Sequence, residues 1–110
     1  MAENTFVFTD SNFAEETKSG LALVDFWAPW CGPCRLVGPI IEEIANDFAG
    51  QIKVGKLNVD DNQQTAMGFR VMSIPTVILF KDGEAVETMI GAQSKSAYLG
   101  KIEAHLANAT

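Results

Sequence analysis

Histidine and cysteine are scarce in this chain: one His and two Cys in 110 residues. A structural zinc site takes four ligands, largely from these two residue types. Cys31, Cys34 and His105 fall one short of that set, so metal binding is not expected. Long apolar runs are also missing. None approaches the ~18 residues that a membrane span requires. Positive charge is in deficit, with 8 Lys and Arg against 14 Asp and Glu and a net charge of -6. That disfavours a nucleic-acid binder, which carries a basic face. Acidic and basic residues are interspersed, with no charged tail. Met1 to Phe8 has no basic residue and no long apolar segment, so no signal peptide is expected and the protein is placed in the cytoplasm. Neither repeats nor low-complexity segments occur. The rest is 47% hydrophobic and 20% charged, the composition of an ordinary globular core. The length suits one domain spanning residues 1–110.

The two cysteines are separated by only two residues. Secreted disulfide scaffolds use more cysteines at wider spacing. Closing so short a ring contributes roughly 2 kcal/mol in the loop-entropy account, against about 4.7 for a 100-residue loop. A core of this size does not need so weak a staple, so the pair is better explained by chemistry than by structure.

Hydrophobic patterning orders the elements. Thr5–Phe8 reads as a short strand. Thr9, Asp10 or Ser11 is a candidate cap for a helix reaching about Ser19, stopped by Gly20. Leu21–Trp27 is apolar except at Asp25, as in a strand covered on both faces. A helix then starts between Cys31 and Cys34. Val37, Ile40, Ile41, Ile44, Ala45 and Phe48 keep helical spacing, and Glu42, Glu43, Asn46 and Asp47 fall opposite. Pro39 should kink this helix and Gly50 should end it. Ile52–Val59 reads as a strand and Asp60–Gly68 as a short helix. Thr76–Lys81 and Ala85–Ile90 flank an Asp82-Gly83 hairpin turn. Ser94 or Ser96 opens a last helix carrying Tyr98, Leu99, Ile102 and Leu106. The order β-α-β-α-β-α-β-β-α predicts an α/β fold with a mixed sheet of about five strands and helices on both faces.

Trp30-Cys31-Gly32-Pro33-Cys34 follows the apolar strand and opens a helix. A C-x-x-C in that setting is a redox signature. Unpaired N–H groups and the dipole at a helix N-terminus favour an anion. They lower the pKa of the first cysteine and raise its thiolate fraction, and the thiolate is the nucleophile. The second cysteine, one turn on, is within reach of a mixed disulfide formed by the first. Gly32 and Pro33 make the turn tight and leave Cys31 accessible.

The segment Ala28–Cys34 closely resembles the active site of the thioredoxin family. The resemblance extends through Val24–Trp27, Pro39, Lys56–Asp60, Ser73–Thr76, Phe80–Gly83 and Gly91-Ala92, nearly the whole chain. It implies the thioredoxin fold, a central five-stranded mixed sheet flanked by four helices. It implies a protein-disulfide reductase in which the Cys31 thiolate attacks a target disulfide and Cys34 resolves the mixed disulfide. Asp25 would help deprotonate Cys34, with Lys56 as its partner on the adjacent strand. Pro75 would be cis, and Ile74 would offer backbone groups to an extended substrate segment. Trp30, Gly32, Pro33, Val59, Ile74, Pro75, Gly91 and Ala92 would form the substrate face. No bound cofactor is implied. Recycling would fall to a thioredoxin reductase, which holds the FAD and draws on NADPH. Disulfide-containing proteins would be the other partners, and the chain would act as a monomer.

Plainer readings stand beside these. Asp25 is also readable as a structural carboxylate, Lys56 as a solvated strand residue, Pro75 as a trans turn, and Trp30 or Val59 as ordinary packing. The chain departs from the family pattern in three places. Arg35 replaces Lys. Gly38 stands where Ala is usual and would loosen the helix. Phe69-Arg70-Val71-Met72 differs near the substrate loop, so Arg70 and Met72 bear on partner choice. Two other functions compete. An oxidase or isomerase of the same fold favours His between its cysteines, where this chain has Gly32-Pro33. A binding module would retain activity without its thiols.

Overall fold

The structure is a computed structural model that describes residues 4–107. Residues 1–3, part of the Met1–Phe8 segment considered above, lie outside the described residues. The elements are β1 (Phe6–Phe8), α1 (Phe13–Thr17), β2 (Leu21–Trp27), α2 (Cys34–Asp47), β3 (Lys53–Asn58), α3 (Gln63–Gly68), β4 (Thr76–Lys81), β5 (Glu84–Ile90) and α4 (Lys95–Ala107). They form a five-stranded sheet in the order β1-β3-β2-β4-β5. β1, β3 and β2 run parallel, and β4 is antiparallel to both β2 and β5. The α/β class, the mixed sheet and the element order match the expectation from the sequence.

Both faces of the sheet are covered, which explains the unbroken apolar run in β2. Leu21 and Leu23 join Val37, Ile41 and Ile44 of α2 and Tyr98 and Ile102 of α4 on one face. Ala22, Val24 and Phe26 point the other way, into an aromatic cluster with Phe8, Phe13 and Phe80. A strand alternates its side chains between faces, so Asp25 shares the α2 and α4 side with Leu23. Gly55 has a steric reason. A Cβ there would collide with the Phe6 carbonyl of β1 and lie 2.8 Å from the Phe8 ring.

The differences from expectation are local. Regular α1 begins at Phe13, later than the candidate caps, and ends at Thr17. Thr9 closes the preceding turn: its hydroxyl accepts from the Asn12 N–H at 3.2 Å and its own N–H donates to Asn12 Oδ1 at 2.8 Å. Asp10 serves a different helix. It accepts from the Thr65 backbone N–H at 2.8 Å and from the Thr65 hydroxyl at 2.6 Å, at the start of α3. That pairing is non-local, so local cap chemistry gave the wrong helix. α3 starts at Gln63 rather than Asp60, and Ser94, not Ser96, accepts the Ala97 N–H at the head of α4. Gly20 and the Asp82-Gly83 turn have positive φ, as their turn roles require.

Candidate active site

The site lies at the carboxyl end of β2. There Cys31 N–H donates to the Ala28 carbonyl at 3.1 Å, folding the chain back before α2 begins at Cys34. Cys31 and Cys34 form a disulfide with a Cα–Cα distance of 5.3 Å. Cys31 therefore precedes the regular helix rather than opening it. The helix terminus still acts on it, because the Cys34 N–H donates to Cys31 Sγ at 3.2 Å. One of the unpaired N–H groups at a helix N-terminus is thus aimed at this sulfur.

Accessibility differs from expectation. Cys31 and Cys34 are 4% and 5% exposed. They cluster with Ala28 and are packed by Trp27, Val59 and Ile74, so in the oxidised form the first cysteine is covered as well as the second. Gly32 and Pro33 between them are exposed. The sequence shows a tight turn but not the side chains that close over it.

Asp25 is 1% exposed, and among the described residues neither carboxylate oxygen has a hydrogen-bond partner. Burial raises its pKa to about 7, against a smaller lowering by the Lys56 charge. It shares a face of β2 with Trp27, which packs on the cysteines. Lys56 is its register neighbour on β3. Lys56 thus stands beside Asp25 on the adjacent strand, but no hydrogen bond joins the two side chains. The Lys56 ammonium donates to Glu42 Oε2 of α2 at 2.7 Å and acts on Asp25 only through its field. Gly38 is also more than a loosened spot in the helix, since a Cβ there would meet Lys56 Nζ at 3.2 Å.

A shallow groove of about 300 Å³ lies beside the disulfide, lined by Trp30, Val59, Val71, Met72, Ser73 and Ile74. Trp30 is 69% and Met72 92% exposed, too much apolar surface for simple packing. The Ile74-Pro75 peptide bond is cis. Pro75 is buried, and its carbonyl accepts the Gly91 N–H at 2.9 Å, tying the loop to the end of β5. Pro75, Gly91 and Ala92 do not line the groove, although Ala92 is exposed. Arg70 has φ +57°, a left-handed conformation uncommon for a residue other than Gly.

Four residues at or beside the site were not singled out from the sequence. Asp60 accepts from Trp30 Nε1 at 3.2 and 3.1 Å with its two oxygens, fixing the indole at the groove rim. Val71 and Ser73 line the groove. Glu42 was assigned to the outer face of α2 by periodicity, and only the burial of Lys56 beneath that helix reveals its inward reach. Among the described residues, no group of three or more His, Cys, Asp or Glu is placed to hold a metal ion.

The thioredoxin family model matches residues 4–104. The thioredoxin of Staphylococcus saprophyticus is 53% identical over 98 residues, covering 89% of this chain and 94% of that protein. The thioredoxins of Staphylococcus haemolyticus and Bacillus subtilis are 52% and 47% identical, with the same coverage. The sheet topology, the disulfide at the head of α2 and these matches lead to one conclusion: the chain belongs to the thioredoxin family.

Proposed function

We propose that Cys31 is the attacking nucleophile, Cys34 the resolving thiol and Asp25 the proton carrier of this thiol–disulfide oxidoreductase. The observation that carries the assignment is the Cys34 N–H aimed at Cys31 Sγ. A donor placed there favours the thiolate of Cys31. In the first step the Cys31 thiolate attacks one sulfur of a target disulfide. A mixed disulfide forms, and the other target sulfur leaves as a thiolate that takes a proton from water. In the second step Cys34 gives its proton to the Asp25 carboxylate and attacks Cys31 Sγ. The second target thiolate leaves, and the Cys31–Cys34 disulfide is formed. Two electrons pass from the dithiol to the target.

A carboxyl with a pKa of about 7 both accepts and releases a proton near neutrality, which suits Asp25 to this role. The groove between Trp30 and Ile74, with Val59 and Met72, supports binding of an extended target segment beside the cysteines. In this reading Gly32 and Pro33 keep the turn tight. Pro75 and Gly91 hold the loop that presents Ile74, and Ala92 borders the contact surface. Lys56 acts on Asp25 through its charge.

Recycling is assigned to a thioredoxin reductase that carries FAD and draws on NADPH, so this chain needs no cofactor of its own. Disulfide-containing enzymes that require a dithiol donor are the proposed targets. We take the chain as one domain acting as a monomer. Its proposed compartment is the cytoplasm, whose reducing poise keeps such a dithiol reduced. Among the described residues no helix is long and apolar enough to cross a membrane.

The test is reduction of insulin disulfides coupled to NADPH and a bacterial thioredoxin reductase, with the redox potential measured in parallel. Turnover with a potential in the reducing range, roughly -270 mV for this family, is expected. A potential near -120 mV, that of a strong oxidant, would make the protein an oxidase. Turnover that survives replacement of both cysteines by Ser would exclude a thiol mechanism.

A further inference from the structure

Lys56 lies between two carboxylates held by different elements. On β3 it is registered beside Asp25 of β2, but its ammonium bonds Glu42 Oε2 of α2 at 2.7 Å. Asp25 is left with both oxygens buried and without a partner among the described residues. The path of the lysine from sheet to helix passes Gly38, where a Cβ would stand 3.2 Å from Nζ. Gly38 and Glu42 are four residues apart, on the same face of α2. That face therefore presents a notch and then, one turn on, a carboxylate.

We propose that Glu42 is a positioning residue for the thiol chemistry: it draws the Lys56 ammonium past the notch at Gly38 and so withholds it from Asp25. The inference rests on Asp25 as the proton carrier. An ammonium in direct contact would hold that carboxyl ionised at neutral pH, where it would be a weaker base. The groups around Asp25 are few. Lys56 faces it from β3. Tyr98 of α4 lies within its field, and burial with a smaller contribution from Asp25 keeps that phenol above its ordinary pKa. The cysteines stand at the head of α2. β4 offers apolar Val77 as the register neighbour. Lys56 is about one-tenth exposed and Glu42 about one-third. Without Glu42, the ammonium is left beside Asp25, its register neighbour, on which its charge already acts.

Carbon-13 NMR titration of the Asp25 carboxyl in the oxidised full-length protein tests this without relying on turnover. It therefore separates failure of this inference from failure of the assigned catalytic role. Glu42→Gln should lower the Asp25 midpoint by about one pH unit or more, the usual effect of an ammonium brought into contact. In a Lys56→Met background the same substitution should leave the midpoint in place, because Glu42 acts through the lysine. No shift, or an upward shift, in the Glu42→Gln single variant would overturn the proposal. So would a shift of equal size in both backgrounds, which would mean that Glu42 acts on Asp25 by its own charge.

Discussion

Asp25 is 1% exposed, and burial puts its pKa at about 7 against an ordinary 3.8, so its charge changes near neutral pH. The folded chain binds this proton more tightly than the unfolded chain does. Stability therefore falls as pH rises from about 4 to about 7 and levels off above that. The cost is on the order of 4 kcal/mol, from about 3 pH units at about 1.4 kcal/mol each. Asp25→Asn should remove this slope. Chemical denaturation at pH 4 and pH 8 should show the variant gaining a few kcal/mol relative to the parent between the two pH values, while resolution of mixed disulfides slows. Equal pH dependence in the two proteins would mean that Asp25 is not buried as described. The anomaly was legible in the sequence as one carboxylate in an apolar strand. The Lys56 partner was half legible: strand alternation put it on the right face, but Glu42 on a facing helix outcompetes Asp25 for the ammonium. Pairing across elements has no sequence periodicity to reveal it.

Among the elements, β2, β4 and the Asp82-Gly83 hairpin could be read closely because alternation, turn chemistry and burial agree there. The start of α1 could not, because Asp10 is drawn away by Thr65 of α3. Met72 and Val71 follow an irregular segment after α3, so no period announced that they line the groove. Gly55 is the clearest element-scale test. β1 approaches β3 so closely at Phe6 that a methyl group cannot fit without parting the two strands. Gly55→Ala should destabilise the protein by about 2–3 kcal/mol, in the range of overpacked cores. Urea unfolding would read this loss, and native amide protection should fall first in β1. An unchanged midpoint would contradict the close approach.

For the whole molecule, the topology brings the carboxyl end of the central strand β2, the head of α2 and the loop before β4 to one end of the sheet. The disulfide closes a short ring, so its part in holding the fold is small. Reduction should lower unfolding free energy by about 2 kcal/mol in the loop-entropy account. The reduced protein should remain folded, with a cooperative transition. Collapse of the fold on reduction would make the pair a structural staple. What the pair does is decided by the asymmetry between its sulfurs, since the two are almost equally covered and differ in the N–H aimed at Cys31. The most direct measurement is covalent trapping of disulfide-containing target proteins by Cys34→Ser and Cys31→Ser variants, resolved on non-reducing gels. Cys34→Ser should accumulate mixed disulfides through Cys31 that dissolve with dithiothreitol, and Cys31→Ser should accumulate few. Equal trapping by both variants, or trapping by Cys31→Ser alone, would contradict Cys31 as the attacking thiol.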